Sequence, residues 1–390
     1  MEKIDKIQEY IVRMNRGNEN LNNLFKEFEK ELLSVNPLEA FDVFQKIKLE
    51  NFSELEILPF LDKIVHVFFD NLRRTKPNYE NLYPYIDEML QDNRLLEKTF
   101  DKIRPLMTKL DILNVRQEMV EILDELKQFY PHYEKKENLL FPLMESKHER
   151  FLGLSIMWAL HNKVKQEIDD SILLLSQEST SKQELIESIS QLFFDMLGLI
   201  QKEEYILIPA ALEVLSPDQW KDLYRQAAEY NGVFNTRESV QNIESSLDFT
   251  FEDYTITTQT GQLKLDQVLM IFNVLEMDMT LVDENNKVCY FTHTKNRIFP
   301  RSFSVIGREV KNCHPPQSVH IVEEIVENFR AGKEDKASFW IDMKGRKMLI
   351  QYFALRDNLN NYRGVLEVSQ DITMIQKLEG QQRLAQYAKL

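Results

Sequence analysis

The sequence predicts two fold classes in one chain, an all-α first half followed by a smaller α+β domain. Three observations support this division. Apolar residues recur at helical spacing over most of the first half. The chain has only 10 glycines in 390 residues, and so low a number favours helix. After residue 262 the apolar period shortens from about 3.6 residues towards 2, which is typical of strands.

Residues 1–78 are expected to form an N-terminal helical domain. Ile7, Ile11 and Met14 keep helical spacing, and the dipeptide Asn36-Pro37 then breaks the pattern. His66 lies in an apolar stretch of this segment. It could point into a ligand pocket, although a core histidine with satisfied hydrogen bonds is the alternative.

Residues 79–234 carry the longest amphipathic segments and predict a four-helix bundle. We expect helices near 81–109, 113–146, 150–176 and 181–213, with a short one at 217–230.

A short motif occurs twice in this bundle. KENLLFP at 136–142 recurs as EEYILIP at 203–209. Each copy places a carboxylate ahead of apolar residues and a proline, and a proline inside a helix frees a backbone carbonyl and kinks the helix. Carboxylates and imidazoles that lead into apolar helix suit a metal or cofactor site inside a bundle.

Four residues are the candidate metal ligands of this site: His132, Glu137, His161 and Glu204. Imidazole and carboxylate groups suit iron, zinc or manganese. The step from His132 to Glu137 turns an ideal helix by about 140°, so the two share a face only if Pro131 or Pro142 distorts the helix. The alternatives are a helix cap for His132, a solvated Glu137 and a buried, hydrogen-bonded His161.

Residues 235–262 are polar and weakly patterned, and we interpret them as a linker. The domain at 263–375 begins with a predicted hairpin that turns at 283–286, continues with a helix at 318–329 and ends with three further strands. This is an α+β order. Residues 376–390 are expected to form a helical tail.

Four residues of the α+β domain are candidates for ligand binding: Cys313, His314, Trp340 and Tyr352. A thiolate or a neutral imidazole can ligate haem iron, and aromatic side chains on strands could line a cavity. The alternatives are a turn with His314 packed beside it and ordinary core positions for the aromatic residues.

A basic cluster in the same domain is unusual for so acidic a chain. It comprises Lys295, Arg297, Arg301 and Arg308. It would meet an anionic ligand or the acidic helical half, or else form a solvated surface.

Several motifs resemble those of known families. The segments 312–318 (NCHPPQS) and 367–373 (EVSQDIT) resemble a PAS sensor domain. The segments 132–142 and 157–161 resemble a hemerythrin-like (HHE cation-binding) bundle. Together they resemble an uncharacterised bacterial family in which an N-terminal helical domain and a hemerythrin-like bundle precede a PAS domain.

The resemblance implies iron, another divalent metal or haem as the cofactor. The sequence departs from the hemerythrin pattern, however. The helical half has four histidines, fewer than a hemerythrin di-iron centre uses: His66, His132, His148 and His161. Lys165 stands where the oxygen carriers would place a further histidine. A complete oxygen-carrying centre is therefore not expected.

Charge and composition exclude several classes of protein. The net charge of −15 argues against nucleic-acid binding. No run of apolar residues is long enough to span a membrane, and the first residues lack the apolar core of a signal peptide, so we expect a cytoplasmic protein. Cys289 and Cys313 are too few for a disulfide framework.

The sequence thus predicts a cytoplasmic sensor or regulatory protein. The bundle would bind a metal, haem or a small redox ligand, and the PAS domain would bind a ligand or an unknown protein partner. The alternatives are a metal-dependent redox or storage protein of hemerythrin type and a scaffold with a degenerate metal site. No catalytic motif is present, which favours a non-enzymatic protein. A weak homodimer through the PAS domain or the tail is also expected.

Overall fold

The structure is a computed structural model that describes residues 2–16, 19–49, 67–69, 71–236, 255–292, 297–299, 301, 303–343 and 345–381. His66 and Lys295 lie outside these residues. The chain divides into two compact units, one of residues 1–242 and 315–317, the other of residues 243–314 and 318–390. The first is all-α and the second α+β, so the predicted fold class is confirmed.

Three helices open the helical unit: α1 (Glu2–Arg16), α2 (Leu21–Leu32) and α3 (Pro37–Leu49). The Asn36-Pro37 break is the start of α3. The Asn36 side chain accepts the Glu39 N–H at 2.9 Å, and the Glu39 carboxylate accepts the Asn36 N–H at 2.9 Å. This reciprocal cap satisfies amide groups that the first helical turn leaves unpaired.

The remaining described helices of this unit follow the predicted spans to within a few residues. They are α4 (Pro84–Ile103), α5 (Leu113–Leu126), α6 (Tyr130–Lys135), α7 (Phe141–Glu145), α8 (Leu154–Ser176), α9 (Lys182–Lys202), α10 (Ile208–Val214) and α11 (Pro217–Ala227). Nowhere in the described part of the chain is a helix both long enough and apolar enough to cross a bilayer.

Both copies of the repeated motif contain a π-helical segment, at Lys136–Leu140 and Glu203–Leu207. In each copy, the N–H of the residue after the segment donates to the carbonyl of the segment's first residue. Pro142 and Pro209 come directly afterwards, in the first turn of the next α-helix, where a missing N–H costs little. The distortion expected at the prolines is thus a π turn with an i→i+5 bond.

A continuous apolar core joins the first three helices to the bundle. Ile7, Phe28 and Phe41 belong to the same buried cluster as the bundle residues, and the Phe41 ring lies 5.1 Å from that of Phe151. The boundary after residue 78 therefore stays a prediction, because the core does not divide there.

The α+β unit begins inside the predicted linker. Strands β1 (Thr255–Thr258) and β2 (Gly261–Lys264) pair as a hairpin, which shortens the linker from its predicted end at 262. The β-branched residues of β1 suit an extended backbone, although their polarity gave no core-facing pattern. The further elements are α12 (Leu265–Val274), β3 (Asp278–Asp283), β4 (Val288–Phe291), α13 (Pro316–Arg330), β5 (Lys336–Met343), β6 (Arg346–Arg356) and β7 (Tyr362–Asp371).

The described strands β3 to β7 form an antiparallel sheet in the order β4-β3-β7-β6-β5. Alternate residues of the strands are buried on one face, as in β3, where every second residue is buried. Val326 and Phe329 of α13 pack in the same core as Val365 of β7. Polar side chains on the buried face of the sheet therefore lie in the interior of the α+β unit.

Candidate functional site

His132 lies at the centre of a polar network inside the bundle. Its ring is fully buried on α6 and stacks on Phe129 at 4.7 Å. Its Nδ1 lies 3.1 Å from an Asp92 carboxylate oxygen on α4, and its Nε2 lies 2.9 Å from a carboxylate oxygen of Glu203, the first residue of the second π segment. Both imidazole nitrogens therefore have carboxylate partners.

Two buried lysines complete this network. The Lys136 ammonium group donates to the second carboxylate oxygen of Glu203. The Lys135 ammonium group donates to Glu88 at 2.7 Å and to Asp92 at 2.9 Å. Both lysines are buried, which is rare unless the charge is paired. Each carboxylate that contacts His132 therefore also contacts a lysine.

A second imidazole–carboxylate pair lies next to the first. His161 Nδ1 on α8 is 2.8 Å from a carboxylate oxygen of Glu137, and the Lys165 ammonium group is 3.6 Å from the same oxygen. The Tyr133 ring stacks on His161 at 4.3 Å and also contacts the His132 ring. His161 Nε2 is buried and has no hydrogen-bond partner.

Burial sets the charge states of these groups. It lowers the pKa of His132 to about 3, with the Lys136 charge as the next cause, and it lowers the pKa of His161 well below its ordinary value. Burial raises the pKa of Glu137 to about 7, although Lys165 opposes this. Burial also acts to raise the pKa of Asp92, but the His132 bond and the Lys135 charge outweigh it and lower that pKa. Burial therefore favours the neutral form of both imidazoles, whereas the Asp92 carboxylate favours the protonated form of His132.

The structure brings together some of the predicted metal ligands and separates others. Glu137 meets His161, whereas His132 meets Glu203 and Asp92. Glu204 lies apart and is partly exposed, and its carboxylate accepts from Lys76 at 2.7 Å. Metal ligation by the four predicted residues stays a prediction, but Glu203 is the glutamate of the second motif that faces the network.

The donor set does not fit a hemerythrin-type di-iron centre. In the described residues, no group of three or more His, Cys, Asp and Glu side chains is arranged to hold a metal ion. The carboxylates that could act as ligands already hold ammonium groups. Sequence reasoning missed Asp92, Lys135 and Lys136, because charged residues on helices usually face solvent.

A second polar cluster lies inside the sheet of the α+β unit. Strand register aligns Thr280 of β3, Glu367 of β7 and Tyr352 of β6 in one row, and all three are buried. Arg301 has a guanidinium nitrogen 3.6 Å from the Glu367 carboxylate, and both side chains are about nine-tenths buried. Ser369 Oγ, two residues along β7, is buried and has no hydrogen-bond partner.

The predicted basic cluster contributes to this interior, which excludes the solvated alternative for its described members. Arg297 donates to the Phe299 carbonyl at 2.9 Å and to Thr280 Oγ1 at 3.2 Å, and it lies 4.0 Å from Asp278. Burial lowers the pKa of Arg297 to about 10, so it stays charged at neutral pH. Arg308 is also buried.

The other described ligand-binding candidates lie on two different elements, with Cys313 and His314 at the end of a 3-10 turn and Trp340 on β5. His314 Nδ1 lies 2.8 Å from the Val310 carbonyl, and burial lowers the pKa of His314. Cys313 Sγ is 3.7 Å from the Glu309 carbonyl. Trp340 is 65% exposed, because alternate residues of β5 face outward, and ligand binding by Trp340 stays a prediction. Haem ligation by Cys313 or His314 stays a prediction.

Comparison with known families agrees with both units. The family model of the hemerythrin HHE cation binding domain matches residues 85–211, and that of a PAS domain matches residues 268–373. The chain therefore combines a hemerythrin-like bundle with a PAS domain. The His132 network lies within the bundle match and the Arg301–Glu367 pair within the PAS match. No curated protein matches the chain.

Solved structures that resemble the chain include three with modest similarity. A C-terminal domain from Streptococcus mutans is 29% identical, with a TM-score of 0.31, covering 33% of this chain and 100% of that one. A PAS domain from Colwellia psychrerythraea is 18% identical, with a TM-score of 0.23, covering 28% and 98%. The sensor region of a sensor histidine kinase is 18% identical, with a TM-score of 0.20, covering 25% and 40%.

Proposed function

We propose that the protein is a cytoplasmic regulatory sensor whose PAS domain binds a small anionic ligand beside Arg301. The observation that carries this proposal is the unsatisfied polar interior of the domain. Arg301 Nε and Ser369 Oγ are both buried, and neither has a hydrogen-bond partner among the residues that the structure describes. Buried polar groups are usually hydrogen-bonded, and a ligand with acceptor oxygens would satisfy both atoms.

The guanidinium group of Arg301 supports an anionic ligand. Its side chain is about nine-tenths buried, and its guanidinium nitrogen lies 3.6 Å from the Glu367 carboxylate, farther than a hydrogen bond. A carboxylate ligand would also find guanidinium donors, which suit planar oxygen pairs.

The proposed function places no metal or haem in the bundle, because the bundle's carboxylates are already paired with lysines. In this proposal the bundle has a structural role only. The protein transmits its signal by binding another protein. A metal-dependent redox or storage role remains the alternative, and stoichiometric iron in the purified protein would favour it.

Thermal unfolding of the full chain tests the ligand proposal. Acetate, succinate, citrate and inorganic phosphate are the probes, each at millimolar concentration. We expect at least one carboxylate to raise the melting temperature of the PAS transition, and Arg301→Gln to abolish the shift. Arg363→Gln is the matched control, because this exposed arginine pairs with Asp357 at the β6–β7 turn. Equal shifts in both variants, or no shift with any probe, would contradict the proposal.

A further inference from the structure

We infer that lysine side chains occupy the cation position of the hemerythrin-like bundle, so that its buried carboxylates are paired without a metal. The ion pair between Lys136 and Glu203 carries this inference. It joins the first residue of one motif copy to the first residue of the other. Both side chains are fully or almost fully buried, so solvent does not screen the pair.

The two motif copies differ at their first position, where the ion pair forms. KENLLFP begins with Lys136, whereas EEYILIP begins with Glu203, and both have glutamate at the second position. The first copy therefore places an ammonium group where the second places a carboxylate. The Lys136 side chain thus lies between the two π segments in direct contact with Glu203. Burial lowers the pKa of Lys136 well below its ordinary value, and the charges of Glu137 and Asp92 oppose this shift.

Two more lysines extend the same pattern. Lys135 is paired with Asp92 and Glu88, and Lys165 lies beside Glu137. With Lys136, these are three cations facing Glu88, Asp92, Glu137 and Glu203. A divalent ion in a protein needs several free carboxylate or imidazole ligands. Here ammonium groups already contact these carboxylates, and carboxylates contact both nitrogens of His132.

The pairing of Lys136 with Glu203 predicts what happens when the charge at residue 136 is reversed. Replacing Lys136 by glutamate would give both motif copies the same two carboxylates and leave Glu203 without its cation. Like charges in a buried site are strongly unfavourable, so this variant would need a bound cation to fold stably. The wild type would need none.

Untagged full-length protein tests this inference by metal analysis and thermal unfolding. We expect the wild type as purified to hold no stoichiometric metal, and its melting temperature to be the same with EDTA and with Zn²⁺ or Mn²⁺. The Lys136→Glu variant should bind about one divalent ion per chain, with an affinity at least about tenfold above that of the wild type. Its melting temperature should rise when metal is added.

The matched control is Lys76→Glu, which makes the same charge change beside Glu204, the partly exposed glutamate of the second motif. It should gain no metal-dependent stability. Stoichiometric metal in the wild type, with destabilisation on chelation, would overturn the inference, as would equal metal uptake by the two variants. If Lys136→Glu does not fold with or without metal, the wild-type measurements decide. They do not depend on the PAS ligand, so the carboxylate-binding part of the proposed function is tested separately.

Discussion

Two carboxyl groups outside the His132 network, buried Asp195 and partly buried Glu167, make the stability of the bundle depend on pH. Asp195 on α9 accepts from Lys163 and from Gln191, each at 2.8 Å, and Glu167 on α8 lies 3.4 Å from Lys163. Burial, followed by the hydrogen bond to Asp195, raises the pKa of Glu167 to about 8. The folded protein therefore keeps a proton on Glu167 at neutral pH.

This proton predicts a pH dependence of stability. The folded state keeps it up to about pH 8, whereas unfolded Glu167 loses it above its ordinary pKa of 4.5. Because the native state binds more protons in this window, the free energy of unfolding should fall as pH rises through it, by roughly 1–3 kcal/mol. Glu167→Gln should flatten this part of the curve.

Urea denaturation at several pH values measures the effect. The exposed Glu187 on α9 provides the control, since Glu187→Gln should leave the slope unchanged. His132, His161 and Glu137 also titrate in this range, so the wild type is compared with Glu167→Gln. A difference in stability between the two proteins that does not change with pH would show that Glu167 is ionised in the fold.

Single residues also show where sequence reasoning reached its limit. The histidines His132 and His161 could be selected, because imidazole is rare in this chain and both lie next to motif residues. The carboxylates that contact these histidines could not be selected from the sequence. Glu203 and Glu204 are adjacent, and side chains of neighbouring residues on a helix differ in direction by about 100°. Only the π turn decides which of the two faces inward.

At Gly364, the backbone of β7 approaches the backbone of β3 too closely for a side chain to fit. Its φ is +132°, and a Cβ at this position would overlap the Val282 carbonyl of β3. Gly345, between β5 and β6, also has positive φ, but a Cβ there would meet open space. The two glycines therefore differ in packing although both have unusual backbones.

Alanine substitution separates these two effects. Gly345→Ala should destabilise the PAS domain by about 1 kcal/mol, because alanine disfavours positive φ. Gly364→Ala should cost more than about 2 kcal/mol, because the β3–β7 pairing must also shift. Chemical denaturation followed by the PAS transition measures both. Equal losses would mean that the strand moves aside freely.

The predicted elements agree best where hydrophobic periodicity is strong. The helices α4, α8 and α9 and the strands β5 to β7 lie close to their predicted positions. The sequence does not predict the hairpin β1–β2, because all of its residues are exposed and show no core-facing alternation. The sequence predicts kinks where the structure has π segments, because an extra residue in one turn leaves no separate signal in apolar spacing.

At the scale of the whole molecule, we predict that residues 263–375 fold alone. This segment contains β3 to β7 and α13, with a buried core of its own. Expression of the segment should give a single cooperative unfolding transition, measured by circular dichroism. A second segment that begins at residue 251 includes the β1–β2 hairpin and tests whether the hairpin adds stability. A product without cooperative unfolding in either case would show that the core needs the helical unit.

Homodimerisation also remains a prediction for the whole chain. Helix α12 is apolar and has no buried residue, with Met270 64% and Val274 55% exposed. Its only charged residue is Asp266, so little charge repulsion opposes a contact between two copies there despite the net charge of −15. Light scattering should show an apparent mass that rises with micromolar concentration.

Two variants locate the dimer contact. A chain that ends at Thr373 removes the tail, and Met270→Glu charges the face of α12. Loss of the mass increase in one of them identifies its region as the contact. Monomer masses for the full-length chain at every concentration would rule the dimer out.

The paired π turns give the bundle a specific tolerance to changes in chain length. Each π turn holds one residue more than an ordinary helical turn, and its i→i+5 bond closes over the additional residue. The helix before the turn and the helix after it therefore keep the phase of one continuous α-helix. Removing one residue between 137 and 140 would restore an ordinary turn and leave buried Phe141 and Met144 on the same side of the helix relative to His132. Inserting one residue there would instead rotate both by about 100°, so these two segments should accept a deletion far better than an insertion.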